Sequence, residues 1–323
     1  MSWKKPIVYG SAAVTIVGAA YLTKDYLGGA RYKGEEELNN KIIIVTGANT
    51  GIGYETVREL ARRKAKVIMA CRDMQKCEKS RREIVIDTKN KYVYCRKCDL
   101  ASQESIRKFV KRFRKEYDKL DILVNNAGVM RCPKSYTKEG IEMQLGVNHI
   151  GHFLLTNLLL DVLKESAPSR IINLSSAAYH AGQINMKDLN SDIKYDSGKA
   201  YAQSKLANVL FTTELADRLK GTGVNVYAIH PGIVDTDIIR HMRVLNNIFT
   251  RIFLKPFVWP FIKAPVQAAQ TVLYAALDPS ITDASGSYID NSTIKELSEN
   301  AKDKNLAKWL WKVSESWTKL NVT

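Results

Sequence analysis

A single doubly wound α/β domain, its mainly parallel sheet flanked by helices, is what this 323-residue sequence predicts. Two observations carry the prediction. Short runs rich in β-branched residues alternate with longer stretches of helical periodicity from residue 42 to residue 289, the pattern of strands joined by crossover helices. The first run leads directly into a glycine-rich turn and then a helix, an order that brings a strand end and a helix N-terminus to one ligand. The length allows two domains, but no repeat or low-complexity tract is present.

Ahead of the domain, residues 6–22 form an apolar run of 17 residues, at the short end of what spans a bilayer. Trp3, Tyr9, Tyr21 and Tyr26 near its ends, with Lys4, Lys5 and Lys24, suit an uncleaved membrane anchor. A signal peptide cut near Gly18-Ala19-Ala20 and a peripheral or buried helix are the competing readings. Gly28, Gly29 and the acidic residues 35–37 read as an exposed linker. The expected organisation is an anchor and linker over residues 1–38, a folded domain over 39–300, and an amphipathic tail over 301–323 bearing Trp309, Trp311 and Trp317.

Residues 42–46 read as a buried strand, followed by Gly47-Ala-Asn-Thr-Gly51-Ile-Gly53 and a helix through Lys64. Glycines let a backbone approach a pyrophosphate, and the unpaired N–H groups of a helix start face its charge. Gly47, Asn49, Thr50, Gly51, Ile52 and Gly53 are therefore candidate dinucleotide-binding residues, a purely structural turn being the alternative. The second strand, over 66–71, ends at Arg72-Asp73, where such folds meet the adenosine ribose. A carboxylate there favours a free 2′-hydroxyl and an arginine a 2′-phosphate. Arg72 thus points to NADP(H), with Asp73 reading as the N-cap of the next helix. Asp99, after a third strand over 92–96, is either an adenine contact or a helix-start residue. A helix over 102–117 and a strand over 121–125 follow, and Asn126, Ala127 and Gly128 stand at that strand's carboxyl end, where parallel sheets bind ligands.

A long helical pattern then carries Asn148, a candidate holder of a relay water, with His149 and His152 as packing or surface histidines. The fifth strand, over 170–175, ends at Ser176. In the helix over 199–219, Tyr201 and Lys205 share a face. A neighbouring ammonium favours the phenolate and brings the tyrosine pKa toward neutrality. Such a tyrosine can hand a proton to an alkoxide or take one from an alcohol; a solvated surface pair is the plain alternative. The sixth strand, over 224–230, is closed by Pro231-Gly-Ile-Val-Asp-Thr236. Phe249, Phe253, Phe257, Trp259 and Phe261 then crowd a short span interrupted by Pro256 and Pro260. That span suits the wall of an apolar pocket, a membrane contact or a subunit contact. A helix over 267–277 and a strand over 286–289 complete the domain.

These motifs together resemble the short-chain dehydrogenase/reductase superfamily, and within it the retinol dehydrogenases of the eleven-to-fourteen type. The residues that carry the resemblance are Thr46-Gly-Ala-Asn-Thr-Gly-Ile-Gly53, Ala70-Cys-Arg-Asp73, Asn125-Asn-Ala-Gly128, Val147-Asn-His-Ile-Gly-His-Phe153, Asn173-Leu-Ser-Ser176, Tyr201-Ala-Gln-Ser-Lys205 and His230-Pro-Gly232. The resemblance implies a Rossmann-type fold with Tyr201 as proton donor and acceptor. It implies that Lys205 lowers the tyrosine pKa and binds the nicotinamide ribose, that Ser176 holds the substrate oxygen, and that Asn148 is the relay asparagine. Pro231, Val234 and Thr236 match the segment near the nicotinamide carboxamide, and Ser175 matches a structural neighbour. The activity implied is NADP(H)-dependent interconversion of an apolar aldehyde or ketone with its alcohol, retinal and retinol first. A steroid or lipid-derived carbonyl reductase is the alternative, and a cofactor-binding scaffold without turnover a further one. Two departures stand out: residues 182–197 lengthen the interval between Ser176 and Tyr201, and Lys64-Ala65 replaces a glycine that often closes the first helix in relatives.

The formal net charge of +16 is concentrated early, with 27 Lys and Arg against 15 Asp and Glu in residues 1–130 and 22 against 18 in the remainder. Solvated helix faces account for it, and attraction to an anionic membrane or a cofactor phosphate is the next reading. No nucleic-acid module accompanies the charge, so nucleic acid is not an expected partner. Cys71, Cys77, Cys95, Cys98 and Cys132 show no framework and no second ligand pair, so neither zinc nor disulfides are expected, and the thiols suit a reducing compartment. Asn173-Leu-Ser175 is a glycosylation sequon inside a strand, where a sugar would block folding. Together with the family's use of NADPH this favours a membrane-anchored protein with a cytosolic domain, at the endoplasmic reticulum first and a mitochondrial membrane second. The sequons at Asn291 and Asn321 argue for the opposite side. Oligomeric state is not legible.

Overall fold

The β-branched runs build the sheet. The computed structural model describes residues 28–29, 31–232, 234 and 262–320. Ile42–Thr46 (β1), Lys66–Cys71 (β2), Val93–Lys97 (β3), Ile122–Asn125 (β4), Ser169–Leu174 (β5), Val224–His230 (β6) and Tyr288–Asp290 (β7) pair side by side in parallel. Thr293–Lys295 (β8), which the sequence pattern does not reveal, adds an antiparallel edge, and the order is β3-β2-β1-β4-β5-β6-β7-β8. The order runs outward in opposite directions from β1 and β4, so a crevice opens at their carboxyl ends.

Parallel strands are covered on both faces, and the side-chain alternation shows how. On one face Ile43, Val45, Val67 and Met69 pack against Gly51–Arg62 (α1), Met74–Thr88 (α2) and Pro265–Leu277 (α6). On the other, Ile42, Ile44 and Ile68 pack against Gln103–Glu116 (α3), Gly151–Glu165 (α4) and Ser197–Arg218 (α5). Lys304–Thr318 (α7), in the predicted tail, lies over α5. Its Trp311 is buried beside Phe153 and Phe211, with the Arg218 guanidinium 4.1 Å from a ring centroid of the indole. The acidic linker is exposed as expected and is also tied down: Glu36 pairs with Arg63 and Glu37 with Lys64. Lys64 itself takes φ +68° just past α1, a left-handed position that glycine usually fills and that costs an L-residue roughly 1 kcal/mol.

Two expectations are corrected. Cys77 on α2 and Cys95 on β3 form a disulfide, while Cys71, Cys98 and Cys132 lie buried outside it. The pairing joins a helix to the strand it crosses, across a sequence separation of 18 residues, so no local spacing announces it. The helical pattern through Asn148 also opens with a π-helical turn, Gly146–Ile150, set between Met143–Leu145 and α4. The expected N-terminal apolar helix (6–22), the aromatic span 249–261, Thr236 and Asn321 lie outside the described residues. Among the described residues no helix is long and apolar enough to cross a membrane.

Candidate active site

The crevice at the carboxyl ends of β1 and β4 deepens into a cavity of about 700 Å³. Its floor is the glycine turn. Gly47 has φ +62°, and a Cβ there would lie 2.8 Å from the Ala127 Cα. A Cβ on Gly53 would lie 2.5 Å from Asn126 Nδ2 and 2.6 Å from the Gly47 carbonyl oxygen. Only glycine permits this approach, which packs the start of α1 onto the Asn126-Ala127-Gly128 segment. Thr50 precedes α1 without a side-chain cap, and no acidic residue stands in the first turn. The helix-start N–H groups are left for an anion, as a pyrophosphate would require. Ser80 of α2 braces the turn by donating to the Asn49 carbonyl at 2.8 Å.

At one end of the cavity stand Arg72, Asp73 and Lys76. The Asp73 carboxylate accepts the Lys76 N–H at 3.1 Å, so it is the N-cap that the sequence predicts. Arg72 and Lys76 are exposed cations beside it. Asp99 lines the same cavity and also accepts the Ala101 N–H at 3.1 Å, just ahead of α3. Burial pushes the Cys71 thiol up to about 12, which keeps it neutral under the glycine turn.

At the other end, β5 and α5 deliver Ser176, Tyr201 and Lys205. Three bonds stitch the two elements together: Ser175 Oγ donates to the Lys205 carbonyl at 2.8 Å, and Lys205 Nζ and Asn208 Nδ2 each donate to the Leu174 carbonyl at 3.0 Å. Ser176 hydrogen-bonds the Tyr201 phenol. Tyr201 and Lys205 share a face as expected, with Nζ 5.7 Å from the ring centroid. In the protein alone, Lys205 is not among the groups that draw the phenol down. Burial raises the Tyr201 pKa, opposed by the Ser176 hydrogen bond and by the charge of Arg131. Lys205 is itself pushed down to about 8 by burial, because an ammonium with a single carbonyl partner is poorly solvated.

Asn148 lies behind this group. Its Oδ1 accepts the Val129 N–H at 2.8 Å, and its Nδ2 donates to the Val129 carbonyl and to Ser204 Oγ, each at 2.9 Å. Its side chain is therefore committed to holding the segment after β4. Its carbonyl, within the π turn, accepts from His152 Nδ1 at 3.0 Å. That bond makes His152 Nε2 the acceptor for Thr46 Oγ1 at 2.9 Å. Thr46 Oγ1 in turn accepts the Asn126 and Ala127 N–H groups at 2.9 and 3.0 Å. Pro231 and Val234 line the cavity, the latter through a bridge to Lys263.

Comparison with known proteins agrees with this arrangement. Residues 41–244 match the family model described as short chain dehydrogenase. The chain belongs to the short-chain dehydrogenase family. Human retinol dehydrogenase 13 is 51% identical over 302 residues, covering 93% of this chain and 91% of the relative. A crystal structure of an uncharacterised protein from Mycobacterium paratuberculosis superposes with a TM-score of 0.71 at 35% identity, covering 90% of this chain and 98% of that one. The Pseudomonas aeruginosa RhlG/NADP active-site complex superposes with a TM-score of 0.63 at 25% identity, covering 79% and 95%. The retinol dehydrogenase relatives make this chain an oxidoreductase acting on CH–OH groups.

In this short-chain dehydrogenase several site residues have no sequence signature. Ser80 and Gln144 act through hydrogen bonds to other segments, and Thr46, though part of the glycine motif, is tied to Asn126 and Ala127 only by the fold. His149 and His152 are packing histidines, as read, but neither is on the surface. Burial pushes them down to about 3 and about 4, so both stay neutral in the fold. Unfolding returns each toward an ordinary value near 6.5, and the unfolded state then binds more protons below that pH. Stability is therefore complete above about pH 6.5 and falls as pH drops toward 4, by roughly 1 kcal/mol per pH unit for each histidine. Urea denaturation at a series of pH values checks this. His152→Gln should flatten the acid limb, and a slope unchanged by the substitution would count against the assignment.

Proposed function

We propose that this protein is an NADP(H)-dependent oxidoreductase that interconverts an apolar aldehyde or ketone and its alcohol, retinal and retinol first. One observation carries the reading: Tyr201, Ser176 and Lys205 meet at one end of a cavity whose floor is a glycine cradle shaped for a dinucleotide. A bound nicotinamide would supply or accept the hydride. Tyr201 Oη transfers the proton to or from the substrate oxygen, and the Ser176 hydroxyl holds that oxygen and stabilises its developing charge. Lys205, held by the Leu174 carbonyl, stands where it can carry the ribose and return a proton toward the phenol. The Asn148 carbonyl and His152 hold the π turn behind it. Gly47, Gly51 and Gly53 would seat a pyrophosphate against the start of α1.

NADP(H) is favoured over NAD(H) because Arg72 and Lys76 present two cations at the ribose end while the Asp73 carboxylate is occupied as a cap. The likeness to retinol dehydrogenase 13 supports a retinoid-like substrate. A steroid or lipid-derived carbonyl would fit the same chemistry, and a scaffold without turnover would waste a complete proton-transfer group. Reduction of all-trans-retinal by NADPH is the direct test, and no turnover with retinal, steroid or lipid carbonyls would leave the scaffold reading. Tyr201→Phe is expected to lower kcat by about 10²–10⁴-fold with NADPH affinity within a few-fold. Arg72→Ala is expected to weaken NADPH by about 10–100-fold, the loss of a charge-assisted bond, with NADH little changed. Equal losses for both cofactors would place the discrimination elsewhere.

Residues 6–22 are proposed to anchor the domain on the cytosolic side of a membrane, the endoplasmic reticulum before the mitochondrion. The thiol argument for that side weakens with the Cys77–Cys95 bond. The Asn173 argument strengthens: its amide donates to Thr212 at 2.9 Å and accepts from Asn125 at 2.8 Å inside the core, where no sugar fits. Deleting residues 1–28 is expected to move the protein from the membrane pellet to the supernatant with cofactor binding intact. A glycosidase-sensitive mobility shift at the exposed Asn291 would place the domain in the lumen instead.

A further inference from the structure

Arg131 takes no step in the proton transfer above, although its charge reaches Tyr201, and it lines the same cavity as Tyr201 and Ser176. Its backbone takes φ +49°, a left-handed conformation that disfavours a non-glycine residue and that persists only where surrounding structure imposes it. The imposing structure is a buried clamp. Gln144, wholly buried, accepts the Arg131 N–H at 2.7 Å and donates to Tyr195 Oη and the Ser197 carbonyl, each at 3.0 Å. Tyr195 Oη donates to the Cys132 carbonyl at 2.7 Å. The segment after β4 is thereby fixed to the lengthened stretch 182–197 that leads into α5.

The clamp aims the side chain. Arg131 Nη2 lies 3.6 Å from the point a Cβ on Gly198 would occupy. Gly198 and Tyr201 are three apart on one helix face, so the guanidinium sits one turn before the phenol on the same face. Its charge is felt by both Tyr201 and Asp196. The Asp196 carboxylate is occupied in capping α5, where it accepts the Lys199 N–H at 2.8 Å. Among the described residues the guanidinium has no hydrogen-bond or ion-pair partner. Around it Met130, Ala177, Ala178 and Ile262 give the cavity apolar walls. A wholly apolar substrate covering this cation would strip its water without replacement, which is unfavourable. A carboxylate would be met by a planar donor fork.

We propose that Arg131 is a specificity-determining residue that selects carbonyl substrates bearing a carboxylate on an apolar body. This rests on the reductase reading above: a substrate such as retinal would have to leave the exposed Arg131 in water, whereas one that reaches it is expected to bear a carboxylate. The test is kcat/KM with NADPH for ω-oxo carboxylic acids, from 5-oxopentanoate to 9-oxononanoate, each against the n-alkanal of equal length. The wild-type protein is expected to prefer the acid at one or more lengths by about 10–100-fold, as a charge-assisted pair supplies. Arg131→Met should bring that ratio to one or below, and Arg131→Lys should restore part of it. The ratio is the readout because the substitution also removes a charge near Tyr201. No acid preference at any length, a preference that survives Arg131→Met, or an equal loss for acid and alkanal would each overturn the proposal. If the wild-type protein reduces none of these aldehydes, the reductase reading is decided separately by the reduction of all-trans-retinal. Calorimetric binding of nonanoate to the NADP-bound protein still decides the role of Arg131, with about tenfold weakening in Arg131→Met expected and unchanged affinity refuting it.

Discussion

The site depends on the way β5 is stitched to α5. A parallel strand ends at Leu174, and its last carbonyl receives both the Lys205 ammonium and the Asn208 amide. Ser175 returns a bond to the Lys205 backbone. Deeper in the same contact, Asn173 donates to Thr212 and accepts from Asn125, extending the polar ladder to β4. Polar groups this deep must be paired, since each one left unmatched costs about 1–3 kcal/mol. The pairings hold α5 in one register on the sheet. That register sets where Tyr201 stands relative to Ser176, two residues past the end of the strand.

The same burial shapes the acid–base chemistry. An exposed lysine would be fully charged and an exposed tyrosine fully neutral near pH 7. Here burial moves Lys205 down to about 8 and moves Tyr201 upward. The two groups are therefore not a simple donor and its activator in the protein alone. The phenol is drawn back by its hydrogen bond to Ser176 and by Arg131, a cation delivered by a different segment. Electrostatic control of the tyrosine is shared among β5, α5 and the segment after β4.

At the cofactor end the controlling quantity is distance rather than charge. Gly47 and Gly53 are placed where a single added carbon would collide with Ala127 or Asn126. The close contact joins the first crossover to the fourth strand, and Thr46 with His152 locks it from behind. The neutral state of His152 matters to this lock. A neutral ring accepts from Thr46 at Nε2 while donating to the Asn148 carbonyl at Nδ1, and a protonated ring would have no acceptor to offer.

The sequence by itself determined the strand order of appearance, the glycine cradle, and the residues Ser176, Tyr201 and Lys205. Each of these rests on periodicity or on spacings of a few residues, which are local properties of a chain. Asp73 as a cap belongs with them, since it needs only Lys76 three residues on. The tertiary structure decided what lies between distant segments. The Cys77–Cys95 bond, the Gln144 clamp, the Thr46–His152 lock and the upward shift of Tyr201 each need a helix laid on a particular strand, or a group taken out of water. The π turn at Asn148 escaped the sequence pattern because one extra residue in a helical turn barely disturbs periodicity while freeing a carbonyl. Arg131 escaped for the converse reason. A lone arginine after a glycine motif is unremarkable in a sequence, and only the fold brings its guanidinium over the face of α5 that carries Tyr201.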